Sequence, residues 1–138
     1  IAIPTFLGAK NTANDRASQA NLRNALTNAD SIFANTQDYS VISASSLSSV
    51  EPAINFATQV DATTANQVAV ASGTITGGSG TYIAFASLSK AGNCWIEYQP
   101  SNAATTFDVL KKATVPQCNS LLGTDSTTPP LSKTFPAS

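Results

Sequence analysis

An α+β fold, one long N-terminal helix followed by an antiparallel sheet, is what the 138-residue sequence predicts. Three observations carry it. Apolar residues recur at helical spacing up to about Asp38, three later runs alternate with a period of two, and the connectors between those runs are glycine-rich. A chain of this length forms one domain with a buried core.

The helical pattern runs from Pro4 to about Asp38. Leu22, Leu26, Ala29 and Phe33 recur at spacings of four, three and four and form its core face, continued by Ala25 and Ile32. Ala13, Ala17 and Ala20 are expected to carry that stripe back toward the start. Arg16, Arg23 and Asp30, seven apart, lie on another face, where solvation or contact with a neighbouring subunit is expected. Pro4 and Gly8 weaken the first turns.

After Asp38 the helical period stops. Residues 39–65 read as a connecting loop with a short helical turn near Ser46–Val50, which Glu51 and Pro52 end because proline disfavours the α conformation before it. Three strand-like runs follow: NQVAVAS (66–72), GTYIAFASLS (80–89) and CWIEYQ (94–99). Their connectors, TGGSG (76–80) and KAGN (90–93), supply glycines for positive φ, as tight hairpins require. The final stretch, 121–138, is rich in Ser, Thr and Pro and reads as loop or extended tail. The organisation is a helix over 1–38, a loop over 39–65, and a sheet with a C-terminal region over 66–138.

Composition argues mainly by exclusion. Charged residues make up 11% of the chain, against roughly a quarter in ordinary soluble domains, and Ser, Thr, Asn and Ala take their place. Seven basic and eight acidic residues give a net charge of −1, so no electrostatic footprint for nucleic acid is expected. The Lys111–Lys112 doublet reads as a solvated turn. With no histidine, Ser–His–Asp and Cys–His catalysis and the common zinc motifs fall away. The acids are scattered; Glu97 could meet Asp61 or Asp108 in space, but no spacing says so. TGGSG lacks the Gly-Lys-Ser/Thr ending of a phosphate loop and lies between strands. Asp125, among Ser and Thr, offers too few acids for a calcium loop. Trp95 and Tyr98 read either as sugar-stacking groups or as core, with core expected for at least one. No catalytic residue, metal or cofactor is expected.

Two cysteines remain, Cys94 and Cys118. In a cytosolic protein a free pair is ordinary; in an exported one, a Cys94–Cys118 disulfide is the natural reading. No run of 18 or more apolar residues occurs, so the sequence as it stands has no membrane-spanning segment.

The first 34 residues, IAIPTFLGAKNTANDRASQANLRNALTNADSIFA, resemble the first helix of bacterial type IV pilins from just before its proline onward. The resemblance rests on AIPTFLGA and on an amphipathic half from Ala17 to Ala25 in which Asn21, Leu22 and Arg23 stand in the family's order. SLSKAGNCWIEY (87–98) is similar to the strand and turn around the first cysteine in pilins of Gram-positive and related lineages. About a third of the chain is well covered. The family's cleavage site, first phenylalanine and early acidic residue are not among these residues.

The resemblance implies a pilin fold, with the long helix packed on an antiparallel sheet. It further implies that Ile1 to Leu7 continue an apolar helix beginning upstream, in which Pro4 and Gly8 mark a kink. The implied role is a structural subunit of an extracellular type IV pilus serving adhesion, motility or DNA uptake. Its partners would be other copies of itself in a helical filament, the pilus assembly machinery, and the membrane through the upstream segment alone. A minor pilin or type II secretion pseudopilin is one alternative; a secreted carbohydrate-binding or adhesive module is another.

Overall fold

The structure, a computed structural model, describes residues 3–58 and 64–123. Helix α1 (Ile3–Thr36) leads through a 3-10 turn (Tyr39–Val41) to a short helix α2 (Ala44–Val50). Strands β1 (Phe56–Thr58), β2 (Val68–Thr74), β3 (Thr81–Leu88), β4 (Cys94–Pro100) and β5 (Thr106–Leu110) follow, and α3 (Val115–Gly123) closes the described part. The strands form one sheet in sequential order, β1 parallel to β2 and every later pair antiparallel.

The expected α+β arrangement holds: a long N-terminal helix packs on the sheet, an arrangement consistent with the type IV pilin fold. Alternation along the strands sorts side chains onto two faces. On one face Val68, Val70, Ile83, Phe85 and Trp95 pack with Leu22, Ala25 and Ala29 of α1. On the other, Ala69, Ala84, Ala86, Ile96 and Tyr98 pack with Cys118 and Leu122 of α3. Small alanines on that second face let a short helix lie close to the strands.

The structure departs from the sequence expectations at three points. The sheet is mixed, not purely antiparallel, because β1 forms inside the span read as loop; three residues are too few to display a period of two. The connecting segment is also more ordered than a loop. Ser43 caps α2 in a reciprocal capping box with Ser46, and Ser72 Oγ donates to the Ile42 carbonyl at 2.8 Å, tying the segment to the sheet.

Second, β5 and α3 were not anticipated. Phe107 and Val109 alternate with Thr106 and Asp108 along β5, a legible but short signal. At the start of α3, Thr114 N–H donates to Gln117 Oε1 at 2.9 Å while Gln117 N–H reaches back to Thr114 Oγ1 at 3.4 Å. Thr-x-x-Gln with a proline in the first turn is a helix-start signature. The Lys111–Lys112 doublet falls in the exposed turn between these two elements.

Third, the buried stripe of α1 takes a different course from the one expected. Ala13, Ala17 and Ala20 are exposed, and the stripe continues back from Leu22 through Ser18 and Asp15, both buried. Leu22 and Ala29 are fully buried, whereas Leu26 and Phe33 pack against the core only partly covered. The helical backbone passes Gly8 without interruption.

A disulfide joins Cys94 of β4 to Cys118 of α3, with Cα atoms 5.4 Å apart and 24 residues of separation. Both cysteines are buried in the second core. Closing a loop of that size stabilises by about 3 kcal/mol in the chain-entropy account. Cys118→Ser is therefore expected to lower the unfolding free energy by about that amount. Thermal melts check it: reductant should bring the parent protein down to the variant and leave the variant unmoved.

Candidate functional site

The seam between α1 and the sheet holds the chemistry of this molecule. It has two unlike halves, and the division falls at Asp15. From Phe6 to Ala13 every residue of α1 is exposed, including the large apolar side chains of Phe6 and Leu7. From Asp15 onward the helix is seated, with Asp15, Ser18, Leu22, Ala25 and Ala29 buried at spacings of three and four, one stripe on a 3.6-residue helix.

Asp15 is only 3% exposed, and its carboxylate is fully engaged. Ser89 Oγ donates to Oδ1 at 2.6 Å, Trp95 Nε1 donates to the same oxygen at 3.1 Å, and Asn93 Nδ2 donates to both oxygens at 3.2 and 3.0 Å. Ser89 and Asn93 belong to the β3–β4 turn, where Gly92 takes a positive φ of 88°. A charged acceptor ringed by neutral donors is the arrangement under which a buried carboxylate is tolerated. One turn along, Ser18 Oγ donates to Asn66 Oδ1 at 3.3 Å. The sequence reading missed Asp15 because an acid between two helical alanines carries no periodic signal of burial.

At the other end of the seam, Tyr39 stacks on Phe33 with ring centroids 4.1 Å apart. Its hydroxyl donates to Asp30 Oδ1 at 2.7 Å, and burial with the Asp30 contact raises the phenol well above its usual range. Asp30, expected to serve solvation or a neighbouring subunit, thus binds within the chain. Between the two ends lies Glu97, 1% exposed, paired in register with Phe85 and Phe107. Burial pushes its carboxyl up to about 8; Arg23 draws it back down and Asp30 adds to the rise.

Other sequence candidates separate in space. Trp95 is fully buried and Tyr98 nearly so, the latter stacked with Tyr82 at 5.5 Å; neither offers an open ring face. Asp108 pairs with Ile96 and so occupies the sheet face opposite Glu97, while Asp61 and Asp125 lie outside the described residues. The tail over 124–138 also lies outside them. TGGSG forms the β2–β3 turn, and Gly80 is required there: its φ is 112°, and an added Cβ would sit 2.6 Å from Ser101 Oγ. Among the described residues, no three His, Cys, Asp or Glu side chains are grouped to hold a metal, and no helix is long and apolar enough to cross a membrane. An open groove of about 490 Å³ between α2 and β1 is lined by Ser45, Ser48, Phe56 and Gln67, with no acid or base among its walls. No family model, curated protein or solved structure matches this chain.

Proposed function

We propose that this chain is the head domain of a type IV pilin, a structural subunit of an extracellular filament. The observation that carries the reading is the two-part character of α1. From Asp15 onward it is seated on the sheet, while the part before Asp15 keeps Phe6, Leu7, Ala9 and Ala13 exposed, and Ala17 and Ala20 extend that small-residue row along the unseated face. A helix face of small residues permits close approach of a second helix, and apolar burial between helices supplies cohesion. The resemblance of AIPTFLGA and Asn21-Leu22-Arg23 to the pilin helix points the same way. In this reading the seated half belongs to the subunit, the exposed half belongs to contacts with other copies, and the sheet with α3 forms the outer shell. Before assembly an upstream apolar segment holds the subunit in the membrane, where the assembly machinery takes it up. Adhesion, motility and DNA uptake are all tasks such a filament serves. No catalytic step is assigned.

Immunogold electron microscopy on the producing cells, with antibody to this domain, tests the reading. Gold along thin surface fibres is the expected result. Gold confined to fibre tips or the envelope would favour a minor pilin or a type II secretion pseudopilin. Label only in the culture supernatant, without fibres, would overturn the filament reading in favour of a secreted binding module. That last reading has lost its best structural support, since Trp95 and Tyr98 are buried.

A further inference from the structure

Among the described residues, three buried side-chain oxygens have no hydrogen-bond partner: Ser87 Oγ, Glu97 Oε2 and Thr106 Oγ1. Glu97 alone among these can change its charge. Unpartnered buried polar groups are uncommon in folded proteins and call for a physical reason.

The surroundings of Glu97 are defined on every side. Its register partners are Phe85 on β3 and Phe107 on β5, so neither neighbouring strand sets an ionisable group directly opposite it. Asp108 of β5 pairs with Ile96 and lies on the other face. The charges acting on Glu97 come from α1: Arg23, which favours its ionised form, and Asp30, which opposes it. Asp30 is itself held by the Tyr39 hydroxyl. Asp15, also on α1, is committed to Ser89, Asn93 and Trp95.

We propose that Glu97 is a proton-operated latch between the later half of α1 and the sheet: neutral, it lets the helix seat, and ionised, it lifts the helix so that water can reach the carboxylate. A neutral carboxyl costs far less in an apolar seam than a carboxylate, which there must be solvated or paired. Burial places the folded-state pKa at about 8, against 4.5 for the exposed group. A raised pKa means that stabilisation by the neutral form is complete below about 4.5 and is lost as pH rises through about 8. Where opening exposes the group fully, the opening equilibrium grows by about tenfold per pH unit inside that window.

Hydrogen exchange of the α1 backbone amides across residues 22–33, corrected for the intrinsic effect of pH, tests the latch on the intact chain between about pH 5 and pH 10. The expected result is falling protection in that segment while α3 and the β2–β3 pair hold, and a flat profile in Glu97→Gln. Protection independent of pH, protection lost equally everywhere, or an unchanged slope in Glu97→Gln would each overturn the proposal. Should that variant not fold, exposed Arg23 gives a second handle. Arg23→Gln is expected to move the midpoint to higher pH; an unmoved midpoint would overturn the latch.

Discussion

Trp95→Ala is expected to lower the unfolding free energy by about 3–5 kcal/mol, the range for emptying a large aromatic from a closed core. Two losses combine. The indole is fully buried against the α1 side of the sheet, so its removal leaves a cavity with little freedom to collapse. Its Nε1 proton also goes, and with it one of the donors that hold the Asp15 carboxylate. Trp95→Phe separates the two, since it keeps most of the volume and deletes the donor; it should cost less, about 1.5–3 kcal/mol, as for a hydrogen bond to a charged group. Chemical denaturation of Trp95→Phe, Asp15→Ala and the double variant gives the coupling between them. A coupling near zero would mean that the Trp95 N–H to Asp15 carboxylate contact contributes nothing to stability.

Leu22→Ala is expected to cost about 2–5 kcal/mol, and Leu26→Ala distinctly less. Both leucines lie on the face that helical spacing selects, yet Leu22 is wholly covered by the sheet while Leu26 sits at the margin of the same core. The removed methyl groups of Leu26 were partly hydrated already, so less transfer free energy is forfeited and no closed cavity remains. Urea titrations of the two variants should therefore differ in midpoint with similar slopes. A Leu22→Ala midpoint close to the parent's would remove that residue from the core.

These residues also mark how far the sequence could be read. Leu22, Ala25 and Ala29 were legible because an apolar stripe at spacings of three and four has one simple solution, a helix facing a core. Strands β2, β3 and β4 were legible from alternation between glycine-bearing turns. Asp15 and Ser18 were not, because their burial depends on hydrogen-bond partners about 50 to 80 residues away, at Asn66, Ser89, Asn93 and Trp95. No local rule distinguishes such a residue from a solvated one. Strand β1 was too short to show a period, and its parallel pairing with β2 is a long-range fact. The start of α3 was written in Thr114, Pro116 and Gln117 but stood close to a tail whose composition reads as irregular. Glu97 alternated correctly onto the α1 face, yet alternation does not reveal what a partner helix places opposite.

The seating of α1 from Asp15 onward has a mechanical meaning. At 34 residues and about 1.5 Å per residue, the helix is a stiff rod on the order of 50 Å long, clamped from Asp15 onward and bare from Phe6 to Ala13. A pull on the bare end enters the sheet first at Asp15, whose bonds to Ser89 and Asn93 reach the β3–β4 turn and whose bond to Trp95 reaches β4 itself. From Cys94, next in chain to Trp95, the load passes through a covalent bond to α3 on the far side of the sheet. Tension along the rod thus reaches the β3–β4 turn, β4 and, through the sulfur bridge, α3 on the far side of the sheet.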